Sequence, residues 1–415
     1  MKYLSVLLIF IYFSTFSYGQ DSAQEFKFGA DVFFAKYFYL IEGERVGVIC
    51  NQASVLRNGV HIVDSLLRRN SNIIALFSPE HGIRGEYQAG VKFSDEKDSI
   101  TGLKVYSLYG KTQKPTKQML ENIDVLIFDL QDIGSRFYTY TITMFYAMQA
   151  AAENGKKFII LDRPNPINGV EIEGPVLNLK LKSNVGIFPV PVRHGMTIGE
   201  IAKMIVGEKW LGNNLNLSLN VIPMENWNRE KYFDELQLSW ISPSPNIKSI
   251  SSAITYPGVC FLEATNVSEG RGTDLAFQIF GAPWINSDKL SSELNKLNLP
   301  GVAFKPFEFI PYSEEGTKYK FKYANQKCYG VFLDIQDRKI FKPVQTGLNI
   351  IFILSRLYPD MFEIDYNFLS KLVGIKINPN MIKNGSILKY GKGIESKKLQ
   401  NYKNMRKKYL IYTHF

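Results

Sequence analysis

The sequence predicts an α/β fold, in which a Rossmann-like, doubly wound and mostly parallel sheet is followed by a smaller C-terminal α+β domain. Two observations predict it. Short continuous apolar runs alternate with helical patterns up to residue 284, and the sequence then changes to alternating strand patterns. Continuous apolar runs are typical of strands buried on both faces of a parallel sheet, and their alternation with helices is typical of doubly wound folds.

The apolar runs predict four strands of the larger sheet, over residues 45–50, 73–77, 124–129 and 158–162. Helical patterns cover residues 60–69 and 139–154, and the second ends at Asn154-Gly155, a frequent C-terminal stop. Thr197 is followed three residues later by Glu200, which predicts a capping box at the start of another helix. The smaller domain is predicted to hold strands over 302–306, 318–323 and 329–335 and a helix over 347–357.

The first residues have the layout of a secretory signal peptide. Lys2 precedes an apolar run over residues 3–16, and small residues precede a cleavage site predicted after Gly19. That run is shorter than the roughly 20 apolar residues of a spanning helix, so stable membrane insertion is not expected. We predict a signal peptide over residues 1–19, a Rossmann-like domain over 26–284, a smaller domain over 285–415, and a periplasmic or secreted protein.

The charge balance indicates an anionic partner. The formal net charge is +10 and the isoelectric point is near 9.1, which suits nucleic acid, a membrane surface or an acidic glycan. Export favours the glycan over nucleic acid. Much of the excess lies in a lysine-rich C-terminal segment over residues 383–408, for which a solvated face is the ordinary interpretation.

Several cofactor classes lack their sequence signatures. No GxGxxG or GxxxxGK[ST] pattern follows the first strand, so no nucleotide cofactor is expected. No GxSxG elbow indicates a serine hydrolase. Cys50, Cys260 and Cys328 are far apart in mostly apolar surroundings, which predicts buried side chains rather than a disulfide framework. With four histidines and no CxxC pair, no metal site is expected.

The loops that follow the strands hold the candidate site residues, because doubly wound sheets bind ligands outside the carboxyl ends of their strands. Asn51 follows the first strand, and Glu80, His81 and Arg84 follow the second. A carboxyl group beside hydrophobic residues has a raised pKa, as a general acid that protonates a glycosidic oxygen requires. The alternative role for Glu80 is a loop carboxylate bonded to backbone amides or to Arg84.

The loop after the third strand combines Asp132, Arg136 and Tyr138 with Tyr140. The tyrosines are suited to packing on a sugar face or donating a hydrogen bond. For Asp132, the sequence leaves open a base, a hydroxyl-binding group and a helix N-cap, of which the cap is the commonest role.

Three further loops add polar candidates. A proline-braced loop after the fourth strand offers Asp162, Arg163 and Asn165 for hydrogen bonds to ligand hydroxyl or acetamido groups, although such a loop is equally common in a structural role. Arg193 and His194 precede the predicted capping box, and Glu173 is a secondary acidic candidate. The last and densest cluster comprises Glu263, Asn266, Glu269 and Arg271.

Five of these segments together resemble one family, the secreted bacterial exo-lytic β-N-acetylmuramidases. The segments are SPEHGIRG (78–85), DLQDIGSRFYTY (129–140), LDRPNPING (161–169), PVRHGMT (191–197) and NVSEGRGT (266–273). The resemblance extends from about Gly43 to the C-terminus. It implies a Rossmann-like domain, a smaller C-terminal domain and an active site in the cleft between them. The reaction would be hydrolytic removal of β-1,4-linked N-acetylmuramic acid from the non-reducing end of peptidoglycan fragments.

The resemblance implies Glu80 as the leading catalytic acid, with Asp132, Glu263 and Glu269 as further carboxyl candidates. Two carboxyl groups about 5 Å apart would imply retention of configuration and about 6.5–9.5 Å inversion. A third route is assistance by the substrate's own acetamido group, oriented by Asp132 or Glu269. The sequence leaves all three routes open.

Muramic acid carries a lactyl carboxylate, so a cationic clamp is expected. One or two loop arginines are predicted to pair with it bidentately. The candidates are Arg84, Arg136, Arg163, Arg193 and Arg271.

Two rival functions remain at this point. One is a non-enzymatic periplasmic muropeptide-binding protein, and the other is metal-assisted deacetylation by His81, Asp132 and His194. The expected partner is a peptidoglycan-derived glycan or muropeptide, with other cell-wall hydrolases as candidate protein partners.

Overall fold

Two sheets organise the protein in this computed structural model, which describes residues 25–79, 82–85, 96–313, 320–391 and 397–412. The larger sheet has seven strands in the order β3-β4-β2-β1-β5-β6-β7, and the smaller has three in the order β8-β10-β9. The strands are β1 (Arg45–Cys50), β2 (Asn72–Ser78), β3 (Glu96–Lys97), β4 (Lys104–Ser107), β5 (Val125–Asp129), β6 (Lys157–Leu161), β7 (Leu219–Ile222), β8 (Ile279–Ala282), β9 (Val302–Phe309) and β10 (Cys328–Ile335).

Helices cover both faces of the larger sheet, and the helix Ser287–Asn295 packs against the smaller one. The α-helices are α1 (Gly29–Val32), α2 (Ile62–Arg68), α3 (Lys117–Leu120), α4 (Tyr140–Glu153), α5 (Ile198–Gly207), α6 (Ile250–Val259), α7 (Ser287–Asn295), α8 (Pro343–Leu357), α9 (Tyr366–Val373), α10 (Pro379–Lys383) and α11 (Lys397–Lys407). Shorter 3₁₀ turns lie at Phe38–Ile41, Leu179–Leu181, Phe233–Leu236, Cys260–Ala264 and Ser386–Tyr390, and a π-helical turn lies at Phe33–Tyr37.

The larger sheet is parallel except at its β3 edge. Strand β5 shows why its sequence is continuously apolar. Val125 and Ile127 pack into one hydrophobic core, while Leu126 and Phe128 pack into a second core on the opposite face. Because successive side chains of a strand point to opposite faces, a strand covered on both sides needs apolar residues at every position. The predicted fold class and all four predicted strands of this sheet are confirmed.

The smaller sheet is antiparallel and differs in two details from the sequence-based expectations. Its first strand, Ile279–Ala282, lies before residue 284, where the boundary between the domains was predicted; that boundary stays a prediction. The predicted strand over 318–323 is wrong in its described part, because residues 320–323 pair with no strand, a turn begins at residue 322, and Tyr323 has a left-handed φ of 54°. Extended strands do not accommodate that conformation. The predicted helix over 347–357 begins earlier, at Pro343, a residue suited to a first helical turn.

Helices α6 and α8 approach each other closely at a pair of glycines. A Cβ atom at Gly258 would lie 1.9 Å from the Pro343 carbonyl oxygen, and one at Gly347 would lie 2.3 Å from the Gly258 oxygen. The two backbones are therefore in direct contact, which only glycine permits. This contact holds α6, whose side chains line the cleft described below, against the core of the C-terminal part.

Three other predictions concern the capping box, the cysteines and the signal peptide. The predicted capping box is confirmed, since the Thr197 hydroxyl accepts from the Glu200 amide and the Glu200 carboxylate accepts from the Thr197 amide. The three cysteines are buried and unpaired, as predicted. The signal peptide over residues 1–19 lies outside the described residues. Within the part of the chain that is described, no helix is both long and apolar enough to cross a bilayer.

Glu173 joins the two parts of the chain. Its backbone pairs with Arg193, and its Oε1 accepts from the Gln345 amide at 2.8 Å, in the first turn of α8. Burial raises the pKa of the Glu173 carboxyl to about 7, against the opposing effects of the α8 amides and the Arg193 charge. The folded protein therefore retains a proton between pH 4.5 and pH 7 that the unfolded chain has released.

We predict that Glu173→Gln weakens the pH dependence of stability. A raised carboxyl pKa costs the folded state stability as pH rises through this window, by about 3 kcal/mol at most. The neutral amide has no proton to release, so the melting temperature of the variant relative to wild type rises between about pH 5 and about pH 8. Thermal unfolding followed by circular dichroism measures it. A difference that is flat or falls with pH would show that Glu173 is ionised in the folded protein throughout.

Candidate active site

A cleft of about 180 Å³ opens where the loop before α4 meets α6 and the segments on either side of it. We call it the carboxylate cleft. One side is formed by residues 137–140 and Val185, and a second by Ser244, Asn246 and Ile247. The third side comes from the C-terminal part of the chain and consists of Tyr256, Cys260, Glu263, Arg271, Phe277 and Leu372.

Aromatic rings form much of the wall. The rings of Tyr138 and Tyr140 pack edge to face with centroids 4.8 Å apart, and Tyr138 meets Tyr256 in the same manner at 6.1 Å. The Tyr140 hydroxyl donates to the Pro243 carbonyl at 2.6 Å and accepts from Asn51 Nδ2 at 2.9 Å. Asn51 therefore fixes the position of the cleft wall from behind, and it is fully buried. Rings held in this way form a preorganised surface for a sugar.

The charged groups of the cleft form one network. Arg271 Nη2 lies 2.5 Å from Glu263 Oε1, and Arg271 Nε lies 3.5 Å from Glu269 Oε1. Lys322 Nζ donates to Glu269 Oε2 at 3.1 Å. Burial raises the pKa of the Glu263 carboxyl, the Arg271 charge opposes that rise and the Glu269 charge adds to it. The pKa of the Glu263 carboxyl therefore lies above its ordinary value despite the arginine beside it.

Asp132 and His194 form a buried pair at the carboxyl edge of the larger sheet. His194 Nε2 lies 3.3 Å from Asp132 Oδ2, and that oxygen accepts a hydrogen bond from the Gly134 amide at 2.8 Å. His194 Nδ1 accepts from the Met196 amide at 3.2 Å, so the ring proton belongs on Nε2, toward the carboxylate. Neither residue lines the carboxylate cleft. The possible N-cap role of Asp132 is wrong, because α4 begins eight residues later and the carboxylate holds a tight turn instead.

Four of the five candidate arginines bind groups of the protein outside the carboxylate cleft. Arg136 donates to the carbonyls of Pro175, Val190 and Leu372, and burial lowers its pKa to about 9. Arg193 donates to the Ile167 carbonyl. Neither side chain lines the carboxylate cleft.

The other two arginines outside the carboxylate cleft form ion pairs with carboxylates. Arg163 forms a bidentate pair with Asp129 at 2.5 and 2.9 Å. Arg84 contacts Asp98 at 3.2 Å and Asp64 at 3.5 Å. Of the five candidates, only Arg271 lines the carboxylate cleft.

Asp162, Asn165 and Asn266 also have partners within the protein. Asp162 accepts from the Thr197 hydroxyl, the Gly199 amide and the Tyr412 hydroxyl. Asn165 donates to the Met196 carbonyl, and Asn266 exchanges hydrogen bonds with the backbone of Met361 and Glu363. These contacts favour a structural role for the three residues, and ligand binding by them stays a prediction. Glu80 and His81 lie outside the described residues, and their predicted roles likewise stay predictions.

Ser244, Asn246 and Tyr256 are among the cleft residues that went unnoticed in the sequence. Ser244 and Asn246 belong to the proline-rich stretch SPSPN over residues 242–246, which indicates a rigid loop. That stretch was a usable signal. Tyr256 lies within α6 beside Pro257, and nothing in the local sequence distinguishes it from an ordinary core tyrosine.

A separate cavity of about 360 Å³ lies beside the loop after β1 and includes Phe28, Arg57, Phe233 and Trp240 among its walls. We call it the aromatic pocket. None of its lining residues in the described chain is a carboxylic acid. Across the same described residues, no group of three or more histidine, cysteine, aspartate or glutamate side chains is arranged to hold a metal ion.

The fold and the cleft define an α/β protein with aromatic walls and a raised-pKa carboxyl, an arrangement that suits acid-assisted cleavage of a glycan. Residues 46–251 match the family described as exo-beta-N-acetylmuramidase NamZ, N-terminal, and residues 254–412 match its C-terminal counterpart. The chain belongs to this family. The carboxylate cleft draws Tyr138 and Ser244 from the first matched segment and Tyr256, Glu263 and Arg271 from the second, so it lies where the two segments meet.

Similar proteins agree with this assignment. The peptidoglycan beta-N-acetylmuramidase NamZ of Bacillus subtilis (strain 168) is 43% identical over 386 residues, which cover 92% of this chain and 91% of the relative. The crystal structure of a DUF1343 family protein from Bacteroides fragilis NCTC 9343 has a TM-score of 0.83 and 36% identity. A second DUF1343 structure from that organism has a TM-score of 0.75 and 34% identity. Each structural match covers 94% of this chain and 99% of the other.

The contacts of the arginines predict different effects on stability. Arg163→Met leaves Asp129 as an unpaired charge in a fully buried position, and we expect a loss of about 3–5 kcal/mol in the free energy of unfolding. Arg271→Met removes a more exposed ion pair and is expected to cost less. Urea unfolding of both variants at neutral pH measures the difference. Equal losses would contradict the separation of a structural arginine from a cleft arginine.

Proposed function

We propose that the protein is an exo-acting β-N-acetylmuramidase, a glycoside hydrolase that releases N-acetylmuramic acid from the non-reducing end of peptidoglycan fragments. The observation that carries the proposal is the carboxylate cleft at the junction of the two family segments, where a cation, a raised-pKa carboxyl and tyrosine rings face one space. The family membership and the 43% identical Bacillus subtilis muramidase support the reaction class.

Arg271 is the proposed clamp for the lactyl carboxylate. Its guanidinium contacts Glu263 and Glu269 and lies 5.3 Å from the Phe277 ring, which holds it in a defined orientation. An incoming carboxylate would exchange with Glu263 as its partner. The exchange would leave the Glu263 carboxylate less neutralised and raise its pKa further, which makes it a stronger base.

Two carboxyl groups are proposed for the chemistry. Glu80 is the leading acid on the basis of the family motif SPEHGIRG. Glu263 is the second, because it lines the cleft and its raised pKa makes its carboxylate a stronger base. In this scheme one carboxyl protonates the glycosidic oxygen and the other stabilises or attacks the anomeric carbon, or activates water there. Glu269, bonded to Lys322 and Arg271, orients the arginine.

The place of action is proposed to lie outside the cytoplasm. The signal peptide predicted over residues 1–19 supports export, and the net charge of +10 suits the anionic cell-wall polymer. A periplasmic or secreted enzyme would meet peptidoglycan fragments there without crossing a membrane.

The experiment that tests the reaction is release of free N-acetylmuramic acid from N-acetylmuramyl-β-1,4-N-acetylglucosamine in chelator-treated buffer. Wild type is expected to release it, and Glu80→Gln is expected to lose turnover while retaining its melting temperature, because the amide cannot donate the acid proton. The distant variant Glu42→Gln is the matched control. No release by wild type would contradict the reaction, and binding without turnover would favour the muropeptide-binding alternative.

Arg271→Met is expected to change selectivity. Loss of a charge-assisted pair with the lactyl group should lower kcat/KM for an aryl β-muraminide by about 10- to 100-fold. The corresponding β-glucosaminide lacks the lactyl group and should lose much less. The measurement is the ratio of the two kcat/KM values in wild type and variant. Equal losses on both substrates would assign Arg271 a structural role.

A further inference from the structure

A second pocket lies beside the carboxylate cleft, between the loop after β4 and helix α4. It has a volume of about 350 Å³, and Tyr109, Gln113, Tyr146 and Asn184 are among the residues that line it. We call it the neutral pocket. Thr139 and Val185 line both this pocket and the carboxylate cleft. The two spaces therefore adjoin at these two residues, so neighbouring sugars of one glycan could each face one of them.

The two spaces differ in charge. The carboxylate cleft contains Glu263 and Arg271, whereas the lining residues of the neutral pocket, all within the described chain, include no acidic or basic side chain. Its polar groups are the amides of Gln113 and Asn184 and the hydroxyls of threonine and tyrosine. Amide and hydroxyl groups beside a tyrosine ring suit an uncharged N-acetylated sugar and offer no partner for a carboxylate.

The neutral pocket also lies beside the strand that leads to the SPEHGIRG motif. Leu108, one of its lining residues, donates its backbone N–H to the Ser78 carbonyl at 2.8 Å. Ser78 ends β2 and is the first residue of that motif. A sugar in this pocket would thus lie near Ser78, which precedes the proposed acid by two residues in the sequence.

We propose that the neutral pocket is the leaving-sugar subsite, which binds the uncharged N-acetylglucosamine on the reducing side of the cleaved bond. The terminal muramoyl residue occupies the carboxylate cleft, and the scissile bond lies beside Thr139 and Val185, the two residues that line both spaces. This inference rests on the proposed function and adds to it a physical reason for the order of the two sugars. The charged space accepts the acid-bearing sugar, and the uncharged space accepts its neutral neighbour.

The test compares two substrates of the same muramoyl unit. One is N-acetylmuramyl-β-1,4-N-acetylglucosamine, and the other is N-acetyl-β-muramyl fluoride, whose leaving group is too small to occupy a sugar subsite. Gln113→Ala and Tyr146→Ala are expected to lower kcat/KM for the disaccharide by about tenfold and to leave turnover of the fluoride unchanged. Gln118→Ala is the matched control, because Gln118 is exposed on α3 and does not line the pocket.

Each other outcome contradicts the subsite. Equal losses on both substrates would show that the variants disturb the muramoyl site, and no loss on either would show that the pocket does not contact the leaving sugar. Gln113→Ala keeps the test valid if Tyr146→Ala fails to fold, because Gln113 lies in a loop and is only partly buried. Failure of the wild-type enzyme on both substrates would contradict the proposed function itself, which separates that failure from the failure of the subsite alone.

Discussion

The buried ion pair between Arg163 and Asp129 is the constraint on which the carboxyl edge of the larger sheet depends. Asp129 ends β5 and is fully buried, Arg163 follows β6, and the same guanidinium donates to the Val55 carbonyl after β1 and lies 4.8 Å from the Phe28 ring. One side chain therefore joins the ends of three adjacent strands. Burying two charges costs much of their mutual attraction, so the pair contributes positional accuracy more than net stability. The loops that carry the site therefore start from strand ends with fixed positions.

A second set of contacts fixes the C-terminal wall of the cleft relative to the larger sheet. The backbones of α6 and α8 touch at Gly258 and Gly347, and Glu173 binds the first turn of α8. Arg136 donates to the Leu372 carbonyl at the end of α9. Each contact links a loop of the first matched segment, or a helix that lines the cleft, to the second segment. The cleft geometry is thereby set by buried groups that do not enter it, which is the arrangement that preorganised catalysis requires.

The sequence predicted the sheet well and the site only in part, for physical reasons. Strands buried on both faces must be apolar throughout, so the continuous apolar runs were enough to predict β1, β2, β5 and β6. A loop arginine, in contrast, has the same local sequence whether it meets a ligand or a carbonyl from a distant segment. Arg136 receives its partners from residues as far as 236 positions away. The joining of Glu263 and Arg271 with Tyr138 and Ser244 is equally non-local, because it arises from packing of the two matched segments.

The proposed reaction requires that the acid-bearing sugar occupies the carboxylate cleft. The most direct measurement is a crystal structure of the protein with a sulfur-linked N-acetylmuramyl-N-acetylglucosamine disaccharide that resists hydrolysis. We predict the lactyl carboxylate at hydrogen-bond distance, about 3 Å, from the Arg271 guanidinium, with the second sugar beyond Thr139 and Val185. A disaccharide bound in the aromatic pocket beside Trp240, or one with its carboxylate directed away from Arg271, would contradict it.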